Sequence, residues 1–312
     1  MHGKDSPLRL SRRRFLQGAA GLVGALSLPV MGQSQSKLIE RPIPVSGETI
    51  PILGMGTWQT FDVAAYPEMV LRRTEVLRTF LERGGGMVDS SPMYGSSEET
   101  LGLCLERLSD RGSLFTATKV WTPMRWLGIQ QMKQSMQLWG DDRFDLMQIH
   151  NMLDWETHLE TLKAWKAEGR IRYIGITTSH GRRHEAMEKA LSREADFDFV
   201  QLTYNLLDRE AEDRLLPLAA DRGIAVIINR PFRGGDMFDL VEEKALPGWA
   251  AEIGCDNWAQ FFLKFILSHP HVTCAIPATS RVDHMQENMG AGVGPLPDPA
   301  TRRRMIDFMQ TI

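Results

Sequence analysis

Two patterns of apolar residues alternate along most of the chain. Short runs rich in bulky and β-branched residues recur at 52–56, 86–90, 114–118, 144–149, 172–177, 199–202, 225–229 and 272–276. Most are near-continuously apolar, which predicts strands covered on both faces, as in a parallel sheet. Between them, apolar residues at helical spacing predict helices over 68–83, 97–108, 129–139, 155–168, 182–191, 210–222 and 257–268. A further helix starts near Ser280 and a last one from about Asp298. Several helical stretches run into glycine before the next strand (Gly84, Gly169, Gly223), the residue that best accepts a left-handed helix end. Segment 43–50, with Ser46-Gly47-Glu48 inside it, predicts a hairpin ahead of the first strand.

Eight strand–helix units with no linker between them predict an α/β fold, one (β/α)8 TIM barrel with an N-terminal β-hairpin. A doubly wound sheet is the alternative. It expects a G-x-G-x-x-G between a strand and a helix, and Gly54-Met55-Gly56 lacks the third glycine. With 43% hydrophobic and 24% charged residues, the chain is neither disordered nor a multi-span membrane protein. A net charge of −3 offers no broad basic surface for nucleic acid. Cys104, Cys255 and Cys274 make no disulfide framework and read as small core residues.

The first 36 residues stand apart. Lys4, Arg9, Arg12, Arg13 and Arg14 face only Asp5, and an apolar run over 15–30, rich in glycine and alanine, follows at once. That is the layout of a signal segment, too short and too weakly apolar for a stable membrane span. Ser11-Arg12-Arg13-Arg14-Phe15-Leu16-Gln17 resembles the bacterial twin-arginine export signal. The resemblance implies a partner, the twin-arginine translocation machinery, and a periplasmic destination, with a cytoplasmic one if the signal is not used. The expected division is an export segment at 1–36 and a barrel domain at 37–312. No clean cleavage site is visible; removal of the segment would take the net charge from −3 to about −7.

Active sites of this fold lie at the C-terminal ends of the strands. The second strand ends in Asp89, with Tyr94 in the loop after it; the third ends in Lys119 and the fourth in His150. Neighbouring strands lie about 4.8 Å apart, so one pocket can gather all four. A lysine ammonium beside a tyrosine stabilises the phenolate and lowers its pKa, and a carboxylate keeps that ammonium charged and aimed. A neutral histidine can donate a hydrogen bond to a carbonyl oxygen. The set would protonate a carbonyl oxygen as hydride reaches the carbon. No side chain supplies hydride, so a nicotinamide cofactor is implied.

The residues that carry this chemistry resemble the aldo-keto reductase family. Asp89-Ser90-Ser91-Pro92-Met93-Tyr94-Gly95 with Glu98, Thr118-Lys119 and Gln148-Ile149-His150 are similar to its catalytic tetrad in order and spacing. Leu53-Gly54-Met55-Gly56-Thr57-Trp58, Gly169-Arg170-Ile171-Arg172-Tyr173-Ile174-Gly175, Gln201 with Tyr204-Asn205, and Ile276-Pro277-Ala278-Thr279-Ser280 with Glu287-Asn288 resemble other family segments, over roughly 43–290. The resemblance implies reduction of an aldehyde or ketone with NADPH, or with NADH as the second choice. It marks Asp89, Tyr94, Lys119 and His150 as catalytic. It places Thr57, Thr177, Thr178, Gln201, Phe232, Thr279, Ser280, Arg281, Glu287 and Asn288 around the cofactor. From the residues themselves, Ser280 can cap the helix after the eighth strand, and Arg281 adds a cation suited to a 2′-phosphate. Trp58, Trp121 and Trp126 are expected at the pocket mouth, with Asn151 in its wall, favouring an apolar carbonyl substrate.

The chain also departs from the family pattern. Thr177-Thr178 stands where Ser-Asn is usual, and Asn229 where a tyrosine commonly stacks on the nicotinamide, so that Phe232 is the candidate to cover the ring. His284 stands where a later arginine contacts the adenosine, and Asn151 where an aromatic residue is common. Two other functions fit the same barrel: a dinucleotide-binding redox sensor or regulatory subunit with slow turnover, and a Schiff-base lyase using Lys119. A metal hydrolase would want an H-x-H pair on the first strand, which is absent there. The chain is expected to act as a monomer.

Overall fold

The computed structural model describes residues 37–112 and 114–312; the expected export segment at 1–36 lies outside them. The described chain opens with an antiparallel hairpin of β1 (Glu40–Pro42) and β2 (Thr49–Pro51). Gly47, at φ +74°, turns it, and Ile43 N–H donates to the Glu48 carbonyl at 2.7 Å.

Eight parallel strands follow: β3 (Met55–Gly56), β4 (Met87–Asp89), β5 (Phe115–Val120), β6 (Phe144–Ile149), β7 (Ile171–Thr177), β8 (Phe199–Thr203), β9 (Ala225–Asn229) and β10 (Cys274–Ala275). Each pairs with the next in sequence, and Leu53 and Gly56 bridge to Ala275 and Ala278, joining the first strand to the last. This is a (β/α)8 TIM barrel; the sequential order that closes on itself excludes the doubly wound alternative. Glycines stand at the seam because the strands approach too closely for side chains. A Cβ on Gly54 would lie 2.9 Å from the Met87 carbonyl, and one on Gly56 2.9 Å from that of Ile276.

Around the strands lie α1 (Pro67–Glu82), α2 (Ser97–Glu106), α3 (Arg125–Trp139), α4 (Trp155–Ala167), α5 (His184–Arg193), α6 (Leu215–Asp221), α7 (Asp236–Asp239), α8 (Trp258–Leu267) and α9 (Val282–Gly290). A last helix, α10 (Pro299–Met309), is capped by Asp298, whose carboxylate accepts from Thr301 N–H. No helix among the described residues is long and apolar enough to cross a membrane. Helix 210–222 divides into a 3-10 turn at Glu210–Glu212 and α6. The short turns after β9 escape periodicity because they span barely one helical turn between glycines and prolines.

Alternation along each strand creates two apolar layers. Val88, Val120, Met147, Ile176, Val200 and Val226 face the helices. Met87, Phe115, Leu146, Tyr173, Phe199 and Ile227 fill the lumen, and the hairpin's Ile43 and Ile50 join them to close the N-terminal end. The three cysteines are buried and free, as small core residues.

Candidate active site

One or two steps further along the same inward positions the lumen turns polar, and Asp89, Lys119, Gln148 and Gln201 are all buried there. Lys119 lies inside β5, one residue before its end, and His150 is the first residue after β6. The Lys119 ammonium donates to Asp89 Oδ2 at 2.5 Å and to the Ser90 carbonyl at 2.7 Å. Asp89 Oδ1 accepts from Gln148 Nε2 at 2.8 Å and Gln201 Nε2 at 3.1 Å. The carboxylate is thus fixed from β5, β6 and β8. Burial lowers the Lys119 pKa, but Asp89 and then Tyr94 outweigh it, so the net shift is upward and the group stays an ammonium. A charged amine is not a nucleophile, which removes the basis of the lyase alternative.

Above this floor stands Tyr94, its ring centre 5.0 Å from the Lys119 ammonium and 5.6 Å, edge-on, from the His150 ring. Lys119 does pull the phenol's pKa down, but burial pushes it up by more, and Asp89 adds to the rise. The sequence-based expectation of a lowered tyrosine pKa is therefore corrected: Tyr94 is a firmly protonated phenol. His150 is held down to about 2, first by burial and then by Lys119, so its imidazole is neutral. Its Nδ1 lies 2.8 Å from Ser91 Oγ. If Ser91 donates there, Nε2 carries the proton and is free to donate into the cleft.

A cleft with about 250 Å³ of water-accessible space opens over these groups. Of the residues expected around the cofactor or substrate, Trp58, Asn151, Thr177, Thr178, Gln201 and Phe232 line it, beside Tyr94 and His150. Asn151, with φ +52°, donates its N–H to Thr177 Oγ1 at 2.9 Å. Asn229 also lines the cleft, its amide on the Thr178 carbonyl at 2.9 Å. Thr57 is fully buried behind the wall, its hydroxyl donating to Ser90 Oγ at 2.8 Å. Trp121 and Trp126 stand outside the lining, 40% and 55% exposed, on the loop between β5 and α3 and at the start of α3. That loop turns them outward to solvent.

Thr279, Ser280, Arg281, Glu287 and Asn288 gather at or on α9, beyond the residues that line the cleft. Ser280 does not cap this helix. Arg281 occupies the cap position, its N–H on Thr279 Oγ1 at 3.2 Å. Arg281 is not a free cation either: its Nε donates to Asp283 at 3.0 Å, and Nη2 bonds the other carboxylate oxygen. Asp283, in the first turn, also accepts the His284 N–H at 3.0 Å, which a carboxylate does better than a serine hydroxyl.

Three contributors escaped the sequence reading. Gln148 and Ser91 sit inside segments quoted for other residues; their signal was position alone, the strand residue two before His150 and a hydroxyl between Asp89 and Tyr94. Arg230, at φ +49° on the loop after β9, is the third. Glu98, by contrast, serves the wall. Its buried carboxyl receives Thr118, Ser135 and Trp139 at 2.5, 2.9 and 3.2 Å, joining α2, β5 and α3.

Comparison with known proteins agrees with this architecture. The profile of the aldo/keto reductase family matches residues 52–303. The NADH-specific methylglyoxal reductase of Escherichia coli is 26% identical over 246 residues, covering 67% of this chain and 72% of that protein. An aldo-keto reductase of Bacillus subtilis is 25% identical over 193 residues; the match covers 56% of each, just over half the length of that relative. The solved structure of an aldo-keto reductase from Klebsiella pneumoniae in complex with NADPH has a TM-score of 0.72 at 21% identity, over 87% of this chain and 96% of that one. At that identity the likeness bears on the fold.

Proposed function

This chain belongs to the aldo/keto reductase family, and on that premise we propose that it reduces an aldehyde or ketone to the alcohol with a nicotinamide dinucleotide, NADPH or NADH. One observation carries the reading. A protonated Tyr94, a charged Lys119 fixed by Asp89 and a neutral His150 converge on one cleft at the C-terminal ends of the strands.

The residues present fit such a cofactor at its ring end. Thr177, Thr178, Gln201 and Asn229 offer the hydroxyl and amide groups that a carboxamide pairs with, beside the apolar wall of Phe232 and Phe238. Gly235, with φ +117° and open space where a Cβ would stand, leaves backbone bare to a ligand. The α9 end, with Ser280 and Arg281, would take the adenosine side. When bound, the dihydronicotinamide supplies hydride to the carbonyl carbon.

The chain's own residues do the rest. His150 Nε2–H hydrogen-bonds the carbonyl oxygen and polarises it. Tyr94 gives its proton to that oxygen as negative charge develops there. Lys119 stabilises the phenolate left behind, and Asp89 keeps the ammonium in place through the transfer. Gln148 and Gln201 hold Asp89 from the other side. The phenolate then regains a proton from water.

The test is nicotinamide absorbance decay with purified protein and a panel of aromatic and aliphatic aldehydes, with NADPH and NADH in parallel. Turnover supports the reductase. Dinucleotide binding without turnover would favour the sensor or regulatory reading instead. We also infer that residues 1–36 direct export by the twin-arginine route. Fusing them to a reporter should give periplasmic signal that is lost in cells lacking that route or when Arg12, Arg13 and Arg14 are replaced by lysine.

A further inference from the structure

The cleft presents one unpaired cation to a ligand, and its meaning depends on the carbonyl-reductase reading above. Among the described residues that line it, Arg230 is the only lysine or arginine. Lys119 lies beneath the floor, fully buried against Asp89, and His150 is neutral. Arg230 follows Asn229 at the end of β9, its guanidinium 5.7 Å from the centre of the Trp58 ring. It rests against the bare backbone of Gly234, where a Cβ would lie 3.5 Å from Nη2.

The nearby carboxylates do not neutralise it. Asp208 is taken by Arg233 at 3.2 Å and by Asn205 at 2.9 Å. Asp236 is exposed and beyond ion-pair distance. The one hydrogen bond of the guanidinium to the protein is to the Arg233 carbonyl, at 3.0 Å. The left-handed backbone at φ +49° is held by Asn205 Nδ2 on the Arg230 carbonyl at 3.2 Å, while the Arg233 carbonyl and the Trp58 ring set the position of the guanidinium. Burial pushes its pKa below the ordinary arginine value by more than Asp236 and Asp208 raise it, so the cation has lost water and its distant carboxylates do not make up for the loss. Such a group attracts an anion more strongly than one in bulk water.

We propose that Arg230 is an oxyanion receptor and that the preferred substrates are carbonyl compounds that also carry a carboxylate. The planar guanidinium pairs with two carboxylate oxygens at once, and Trp58 provides apolar surface for the rest of the molecule. A neutral aldehyde leaves the cation unmatched; an anionic one completes it.

Matched substrates test this on the full chain: 4-carboxybenzaldehyde against benzaldehyde, and succinic semialdehyde against butanal. The wild type should favour the carboxylates in kcat/KM by about tenfold or more, the size of a charge-assisted hydrogen bond. In Arg230→Gln that preference should fall to within about threefold of unity, with the KM for the dinucleotide changed by less than about twofold. Arg230→Lys, which keeps the charge but loses the fork, should fall between. A wild type that reduces the neutral aldehydes as well would overturn the proposal. So would an Arg230→Gln protein with an unchanged preference and a weakened dinucleotide, which would assign Arg230 to the cofactor's diphosphate. If no aldehyde is turned over, the reductase reading fails, yet benzoate and benzamide binding to the protein with NADP+, followed by tryptophan fluorescence, still decides the question. Benzoate binding more tightly than benzamide in the wild type but not in Arg230→Gln supports the receptor; equal affinities sink it.

Discussion

Lys119 and Lys264 both have no exposed surface, and they keep different company. Lys119 shares the lumen with a carboxylate and a phenol, and its pKa rises. Lys264, on α8, donates to the carbonyls of Val293 and Pro295 at 2.7 and 2.9 Å with no carboxylate on it, and burial lowers its pKa. The second is a staple: its hydrogen bonds tie the chain after α9 to α8. The first is a tuned charge, because the groups that fix it also face the cleft. Burial alone therefore says nothing about function; what the buried charge is matched with, and what that partner touches, does.

The largest effect should come from the group that Lys119 serves. Tyr94→Phe removes only the proton donor, so carbonyl reduction should fall by about 10³-fold in kcat/KM, within the range of general acid catalysis. Dinucleotide affinity, read by fluorescence quenching, should stay unchanged. Full activity in this variant would break the assigned mechanism.

The two lysines can then be compared directly. Lys119→Met should cost at least about 10²-fold in activity and, by stranding the buried Asp89 carboxylate, about 3–5 kcal/mol of stability in urea unfolding. Lys264→Met should leave kcat/KM untouched and cost about 1–3 kcal/mol, from two carbonyls left unpaired. Equal losses of activity from the two would erase the distinction.

Acid sharpens the same point for neutral groups. His150 and His269 are held down to about 2 and about 4, both mainly by burial, against an ordinary 6.5. Below pH 6.5 the unfolded chain takes up protons that the folded chain refuses, so stability is present above that pH and is lost as pH falls. Each ring contributes a slope of up to about 1.4 kcal/mol per pH unit, which continues to about pH 4 for His269 and about pH 2 for His150. Urea unfolding between pH 6.5 and 5, before carboxylates titrate strongly, should show the loss, and His150→Asn should reduce it. The smallest effect belongs to an exposed pair. Asp283→Ala frees Arg281 from its carboxylate and should shift the NADPH-to-NADH preference several-fold toward NADPH, measured as the ratio of kcat/KM values.

Much of the site was legible because barrel topology converts sequence position into place. A residue that ends a parallel strand must lie at the rim, so Asp89, Lys119 and His150 could be gathered without coordinates. Residues on loops were less so. Trp58 lines the cleft while Trp121 and Trp126 point away, and spacing does not distinguish them. Every non-glycine residue at positive φ among those described lies on a loop at the C-terminal ends of the strands, from Gln59 to Arg233. Such backbone depends on surrounding contacts, as Arg230 depends on Asn205, and not on local preference.

The sequence by itself determined the barrel, because continuous apolar strands alternating with amphipathic helices bury both faces of a parallel sheet in only a few ways. It also determined which candidate groups share the rim, through strand ends fixed in number and order. Tertiary structure alone decided their states. Whether burial or Lys119 governs the Tyr94 phenol, and which arginine faces the cleft without a carboxylate beside it, are sums of desolvation and charge over residues far apart in the chain. Those sums have no value until the fold sets the distances.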